Sequence, residues 1–465
     1  MAIEDFQRVH FVGIGGIGTS GVARILLSEG KEVSGSDTDD SPLIMELKRS
    51  GAKVTLGHQS ENIPQSTETV VISAAIPSDN PEVLEARRRN IPIITYSQAL
   101  GSLMERRQGI AVAGTHGKTT TSALVASILK AGGKEPNFVI GGEISALGGN
   151  SGTGKGEYLV AEACEFHRNF LSLRPQVIVI TNIEEDHLDY YHDLAEIEEA
   201  FLKFLSLLPS DGFAVLCREN GNLMEVAGRF DGSYVTYGFG EADFQAKKIT
   251  LTPDGSSFQV LFQEKELGSV TLPLPGQHNV LNSLAAFSVC YKIGLQTEVI
   301  INALADFGGV RRRLELKGHY NGASVLDDYG HHPSEIVATL KALRQFYPTG
   351  RLFVVFQPHQ YSRTRFFLDD FARSFNLADE VIVPEIYFVR DSEESRRSVS
   401  SEDLVAKLTA QNKKAQFISP FEAIVAYLKE KVREGDVVLT IGAGPVYQVA
   451  DNLLKPDFSP SFLRP

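Results

Sequence analysis

At 465 residues, with 43% hydrophobic and 22% charged side chains, the chain has the length for about three domains of ordinary globular composition, which excludes wholesale disorder. Its 45 Lys and Arg against 58 Asp and Glu leave a formal charge of −13, so a basic footprint for nucleic acid or an anionic membrane is excluded, and any anionic substrate must be held by local donors. Cys164, Cys217 and Cys290 lie far apart with no C-x-x-C spacing, which excludes a disulfide framework or zinc ribbon and fits a reducing compartment.

The amino terminus, MAIEDFQRVHFVGIGG, carries acids where a signal peptide needs basic residues, and no apolar run approaches the roughly 20 residues of a membrane span. The expectation is a soluble, cytoplasmic protein without membrane insertion. Strands and helices then alternate along the chain, the pattern of parallel α/β sheets. Three apolar strands, Arg8 to Val12, Ile110 to Ala113 and Val437 to Ile441, each run into a glycine turn followed by a helix-compatible stretch. Boundaries near MERRQG (104–109) and FGGVRRR (307–313) divide the chain into 1–106, 107–309 and 310–465. Residues 213–272 read as an antiparallel insertion with a turn at Pro253-Asp254-Gly255, and the terminal SPSFLRP reads as a frayed tail.

The first turn is a full G-x-G-x-x-G, Gly13-Ile14-Gly15-Gly16-Ile17-Gly18, between a strand and a helix, and Asp37 follows Gly18 by 19 positions. Glycines there let a pyrophosphate approach the backbone and sit on the helix end, with the acid near a ribose. NAD, another nucleotide diphosphate, and a tight packing turn without ligand all fit. The second turn, Gly114-Thr115-His116-Gly117-Lys118-Thr119-Thr120, has the G-K-T core of a nucleoside-triphosphate loop, although Val112 stands where the strict motif has glycine. A simple dehydrogenase has no use for this second loop. A synthetase that activates a group on the first ligand uses both.

Further along, YLVA delivers Glu162 and then Glu165, and VIVIT delivers Asn182 and the acidic loop Glu184, Glu185, Asp186, His187 and Asp189. Such strand ends are where open α/β sheets place ligand groups, and oxygen-rich clusters suit Mg²⁺. Glu184, Glu185 and His192 read as solvated surface and Cys164 as packed rather than reactive. Near the carboxyl end, Arg311-Arg312-Arg313 offers guanidinium forks for phosphate, while Asp327 to Pro333 and Phe356 to Thr364 could wall a site for a carboxylate-bearing co-substrate.

GTHGKTTT, GQHNVLNSLAA, GVRRRLE, DDYGHHPSE and FQPHQYSRT, in this order and over essentially the whole chain, resemble the Mur ligases of peptidoglycan precursor synthesis. The resemblance implies an α/β fold of three domains: a Rossmann-like UDP-sugar-binding domain, a central P-loop ATPase-like domain with the antiparallel insertion, and a Rossmann-like carboxyl-terminal domain that binds the amino acid and closes. It resolves the first loop in favour of UDP, with Gly15, Gly16, Ile17, Gly18 and Asp37 on the sugar nucleotide. It implies ATP on Gly114, Thr115, Gly117, Lys118, Thr119 and Thr120, adenine contacts from His278, Asn279 and Asn282, and Mg²⁺ supported by Thr119, Glu162 and His187. Arg313 would reach the terminal phosphate, and Tyr329, His331 and Arg363 would serve the co-substrate, so that Lys118, Glu162, His187, Arg313 and His331 form the catalytic set. The alanine-adding branch, acting on UDP-N-acetylmuramate and L-alanine, fits best. Its members lack the carbamylated lysine of later-acting ligases, and 14 residues after His187 this chain has Phe201. Gln360 in place of a usual Arg and Pro445 in place of a usual Asp are departures. Monomer and homodimer stay equally open.

Overall fold

The computed structural model describes residues 3–187, 190–389 and 391–456, so Asp189 and the SPSFLRP tail lie outside the described residues. The first sheet holds β1 (Arg8–Val12), β2 (Glu32–Asp37), β3 (Lys53–Leu56), β4 (Thr69–Ile72) and β5 (Ile93–Thr95), all parallel, in the order β3-β2-β1-β4-β5. The order reverses at β1, so the crevice beyond its carboxyl end, where Gly13 begins the first loop, is the ligand position of such sheets. Under that end lies a polar cluster that carries no sequence motif. Glu82, fully buried, accepts from His10 (2.8 Å), Ser36 (2.8 Å), Asn62 (2.9 Å) and the Gln59 amide (3.2 Å). Burial pushes this carboxyl up, but the hydrogen bonds from His10, Asn62 and Ser36 outweigh it and hold it below its usual range.

The second sheet has ten strands: β6 (Gln108–Ala113), β7 (Asn137–Ile144), β8 (Gly149–Gly152), β9 (Tyr158–Glu162), β10 (Val177–Ile180), β11 (Phe213–Cys217), β12 (Tyr234–Gly238), β13 (Phe244–Thr252), β14 (Gly255–Phe262) and β15 (Lys265–Leu272). Their order is β15-β14-β13-β12-β11-β10-β6-β9-β7-β8. β6, β9 and β10 are apolar runs buried on both faces, as parallel central strands require. The antiparallel segment expected over 213–272 is shorter than that. β11 and β12 pair parallel within the main sheet, and antiparallel pairing joins β14 to β15 at the far edge of the same sheet. The residues explain this: FAVLC is continuously apolar, whereas side chains alternate in and out only from β13 onward.

Helix Ile17–Ser28 of the first segment packs on β7 and β8, and the approach depends on Gly21, whose Cβ would come 2.9 Å from Val139. Helix Tyr96–Glu105 packs equally closely at Gly101, where a Cβ would lie 2.0 Å from the Ser172 carbonyl oxygen. The first two sheets thus form one compact unit, apart from the hairpin tip Leu251–Asp254 and the short stretch Pro275–Gln277.

The second unit, from Arg311 onward, carries β16 (Glu315–Tyr320), β17 (Ala323–Asp328), β18 (Leu352–Phe356), β19 (Glu380–Val383), β20 (Lys414–Phe417) and β21 (Val437–Ile441) in the order β16-β17-β21-β18-β19-β20. All pairs are parallel except β16 with β17. Asp328 and Phe356 both pair with Ile441, so three loops leave the sheet side by side.

Candidate active site

Strand register builds the phosphate loop. Val112 pairs with Glu162 and Ala113 with Ile180, so Gly114, Glu162 and Thr181 emerge together at the carboxyl edge of the second sheet. Gly114, at φ +129°, would place a Cβ 2.2 Å from the Thr181 hydroxyl. Asn182 accepts the His116 amide (2.8 Å), and the Thr181 hydroxyl donates to the His116 carbonyl. Gly117, left-handed at φ +81°, caps helix Lys118–Ala131, and a Cβ there would meet the Asn282 side chain at 2.5 Å. Asn282 also accepts from Thr121 (3.3 Å) and donates to Asn279 (3.3 Å). The two asparagines expected to contact adenine are therefore buried beneath the loop and hold its shape, while His278 beside them is half-buried.

Lys118 curls over this loop. Its ammonium donates to the Gly114 and Thr115 carbonyls and pairs with Glu165 at 3.1 Å. Burial alone would lower its pKa, but Glu165 first, then Glu162 and Asp186, outweigh burial and hold it above the usual lysine value. Thr119 donates to Glu162 (3.0 Å), whose other hydrogen bond comes from the Gly141 amide (2.8 Å). His187, at φ +54°, stands 3.9 Å from Glu165 and 3.8 Å from Asp186. Two oxygen-rich groups result: Thr119 with Glu162, and His187 with Glu165 and Asp186, whose ligand atoms lie within 4.8 Å of one another. One Glu165 oxygen is buried without a hydrogen-bond partner. An orphaned carboxylate oxygen beside an imidazole and a second carboxylate is a donor set that fits a hard cation.

The residues of the first loop, Gly13 to Gly18, carry no charge of their own. Gly16 caps helix Ile17–Ser28 with no side-chain acceptor, leaving the helix N–H groups for an anion, and Ile17 projects 49% exposed. Asp37 also fixes the loop: one oxygen accepts the Gly15 amide (2.8 Å) and the other the Thr38 amide (2.8 Å). Gly18 lies under the ring of Tyr96.

In the second unit, Arg312 is spent internally, donating to Asp327 (2.9 Å) and to the Gly442 and Gly444 carbonyls (2.7 and 3.1 Å). Asp328 accepts the Leu314 and Gly330 amides, both at 2.7 Å, and burial pushes its carboxyl up to about 6. Arg312 and Arg313 therefore differ in their hydrogen bonds, although Arg312 also lies over the Tyr329 ring, at 5.1 Å. Arg313 lies over the Tyr329 ring at 5.2 Å and 3.9 Å from Glu335, and Tyr329, His331 and His359 form a chain of ring contacts at 5.6 and 5.8 Å. Arg363 is half-buried in the short helix Tyr361–Phe366, which Gln360 opens at φ +67°.

Two expectations are corrected. Cys164 is exposed rather than packed, while desolvation and the charge of Glu165 push its thiol up to about 12 and leave it unreactive, as the sequence suggests. Glu184 is no spectator: it contacts His116 at 3.2 Å, and its amide donates to Thr115 at 2.9 Å, locking the loop. Glu165, which pairs with Lys118, was missed as a site residue. Glu165 lay in plain view after YLVAE, but its partner Lys118 is 47 residues away and only the sheet register unites them.

Two glycine loops, one with a lysine among carboxylates, within a single α/β unit define a nucleotide-dependent enzyme. The chain belongs to the Mur ligase family: residues 8–108 match the Mur ligase family catalytic domain, 112–290 the Mur ligase middle domain and 312–444 the Mur ligase glutamate ligase domain. It is 45% identical over 456 residues to a UDP-N-acetylmuramate–L-alanine ligase of Caldanaerobacter subterraneus subsp. tengcongensis, covering 97% of this chain and 98% of that one. A protein of the same name from Geobacter sp. strain M21 is 44% identical, with 96% and 97% covered. Among solved structures, the UDP-N-acetylmuramate-alanine ligase of Thermotoga maritima superposes with a TM-score of 0.81 at 30% identity, covering 97% of this chain and 98% of that one.

Proposed function

We propose that this enzyme joins L-alanine to the lactyl carboxylate of UDP-N-acetylmuramate at the expense of ATP, making a peptidoglycan precursor. The observation that carries this reading is full-length identity of 45% to a ligase of that name. A carboxylate repels a nucleophile and has oxide as its leaving group. Transfer of the terminal phosphoryl group of ATP to it removes both obstacles, giving an acyl phosphate and ADP. The amine of L-alanine then attacks the acyl carbon, phosphate leaves, and the amine proton is lost to solvent or a nearby base.

Bringing anions together is the electrostatic problem, and Lys118 meets it by holding its charge at the loop. Gly114 to Thr120 would cradle the phosphates, and Gly15 to Gly18 the diphosphate of the sugar nucleotide. Thr119 with Glu162, and His187 with Glu165 and Asp186, would hold Mg²⁺, which when bound neutralises phosphate charge. Arg313, His331, Tyr329 and Arg363 are assigned to the terminal phosphate and the amino acid. Division at 106/107 and 309/310 into sugar-nucleotide, ATP and amino-acid domains belongs to the same proposal. So does a cytoplasmic site of action, where ATP is available; among the described residues no helix is long and apolar enough to cross a membrane.

The test is phosphate release coupled to mass spectrometry of the product. Release should require UDP-N-acetylmuramate, L-alanine, ATP and Mg²⁺ together. Release with a tripeptide but not with L-alanine would instead make the chain a recycling ligase.

A further inference from the structure

One side chain that the proposed mechanism leaves unassigned rests on the first loop and lies in the field of Glu162, the carboxylate at the second. Tyr96 is the first residue of helix Tyr96–Glu105, directly after a capping box in which Thr95 and Gln98 satisfy each other's backbone amides, so its backbone is fixed. Its ring end lies on Gly18: a Cβ built there would come 2.4 Å from the ring carbon that bears the hydroxyl and 2.6 Å from the hydroxyl oxygen. The last glycine of the first loop is thus glycine because the tyrosine fills the space a side chain would take. The phenol also lies in the field of Glu162, the carboxylate that accepts Thr119 and the Gly141 amide at the phosphate loop. Burial, and then that charge, raise the phenol well above its ordinary value, so it stays protonated and able to donate. Close packing of the same helix on Ser172 through Gly101 holds it rigidly between the two halves of the unit.

We propose that Tyr96 is a substrate-positioning residue whose hydroxyl donates a hydrogen bond to an oxygen of the sugar nucleotide between its diphosphate and its carboxylate. The inference rests on the substrate reading given above. A ligand whose diphosphate sits on Gly15 to Gly18 has the Tyr96 hydroxyl beside that loop, in the field of Glu162. A neutral donor suits that place, since Glu162 already supplies negative charge nearby and a further anion would repel the substrate.

The experiment compares wild type with Tyr96→Phe, which keeps the ring over Gly18 and removes only the hydroxyl. Dissociation constants for UDP-N-acetylmuramate, UDP and ATP are measured by calorimetry, with KM and kcat alongside. Loss of one hydrogen bond should weaken UDP-N-acetylmuramate by about five- to tenfold, with UDP and ATP unchanged. UDP-N-acetylmuramate affinity unchanged in Tyr96→Phe, or equal losses for UDP and UDP-N-acetylmuramate, would overturn the inference. Wild type failing to bind UDP-N-acetylmuramate at all would overturn the substrate reading, and the inference with it.

Discussion

The two glycine loops of the first unit share one plan, a buried parallel strand running through glycines into a helix N-terminus, and differ in charge. Around Gly13 to Gly18 the nearest carboxylate, Asp37, accepts the Gly15 and Thr38 amides and holds the turn. Around Gly114 to Thr120 a lysine stands among Glu162, Glu165 and Asp186. A loop that only has to hold an unreacting diphosphate can rely on helix N–H groups. A loop where charge moves between groups needs a fixed cation and carboxylates to fix it.

The sharpest way to break this contrast is Lys118→Ala. Phosphate release should fall by roughly 10²–10³-fold or more while UDP-N-acetylmuramate still binds, as calorimetry would register. Loss of both would mean that the two loops are not separate devices. Next, Gly114→Ala forces a side chain at φ +129° into Thr181, and should cost about 3 kcal/mol in denaturant unfolding. Gly30→Ala, at φ +79° with nothing within 4 Å, should cost only about 1 kcal/mol.

A pH measurement tests the charged loop itself. Because the folded Lys118 pKa is raised, its pairing stabilises the fold fully below the unfolded lysine value and is lost only as pH rises through the folded one. Glu165→Gln removes the largest of the charges holding it up, so the alkaline limb of the rate profile should move to lower pH. An unmoved limb would show that Glu165 does not govern the lysine. The smallest effect expected is Asp37→Asn, which frees one of two amides: UDP-N-acetylmuramate binding should weaken by about fivefold, with ATP binding intact.

Much of this site was legible before folding. GTHGKTT between an apolar strand and a helix announces its chemistry locally, since the loop, its glycines and its lysine are contiguous. Glu162 was legible too, as the last residue of an apolar strand. Spacing locates Asp37 at the end of β2, but spacing does not reveal that its oxygens accept the Gly15 and Thr38 amides. The antiparallel edge was placed too early because turn residues mark where strands end and not which neighbour they choose. Glu82 with His10 and His58 was invisible, since the acid and the two histidines lie 72 and 24 residues apart in sequence and no motif connects them.

The sequence by itself determined the class of sheet, the two loops and the family, because each depends on short-range pattern: apolar runs, glycine placement and contiguous motifs. Tertiary structure alone decided which carboxylate faces Lys118, that Arg312 is consumed by Asp327 while Arg313 stands near Glu335, and that Tyr96 rests on Gly18. Those pairings join residues brought together by strand register and helix packing, and register is set by the burial of whole faces rather than by any local run of residues.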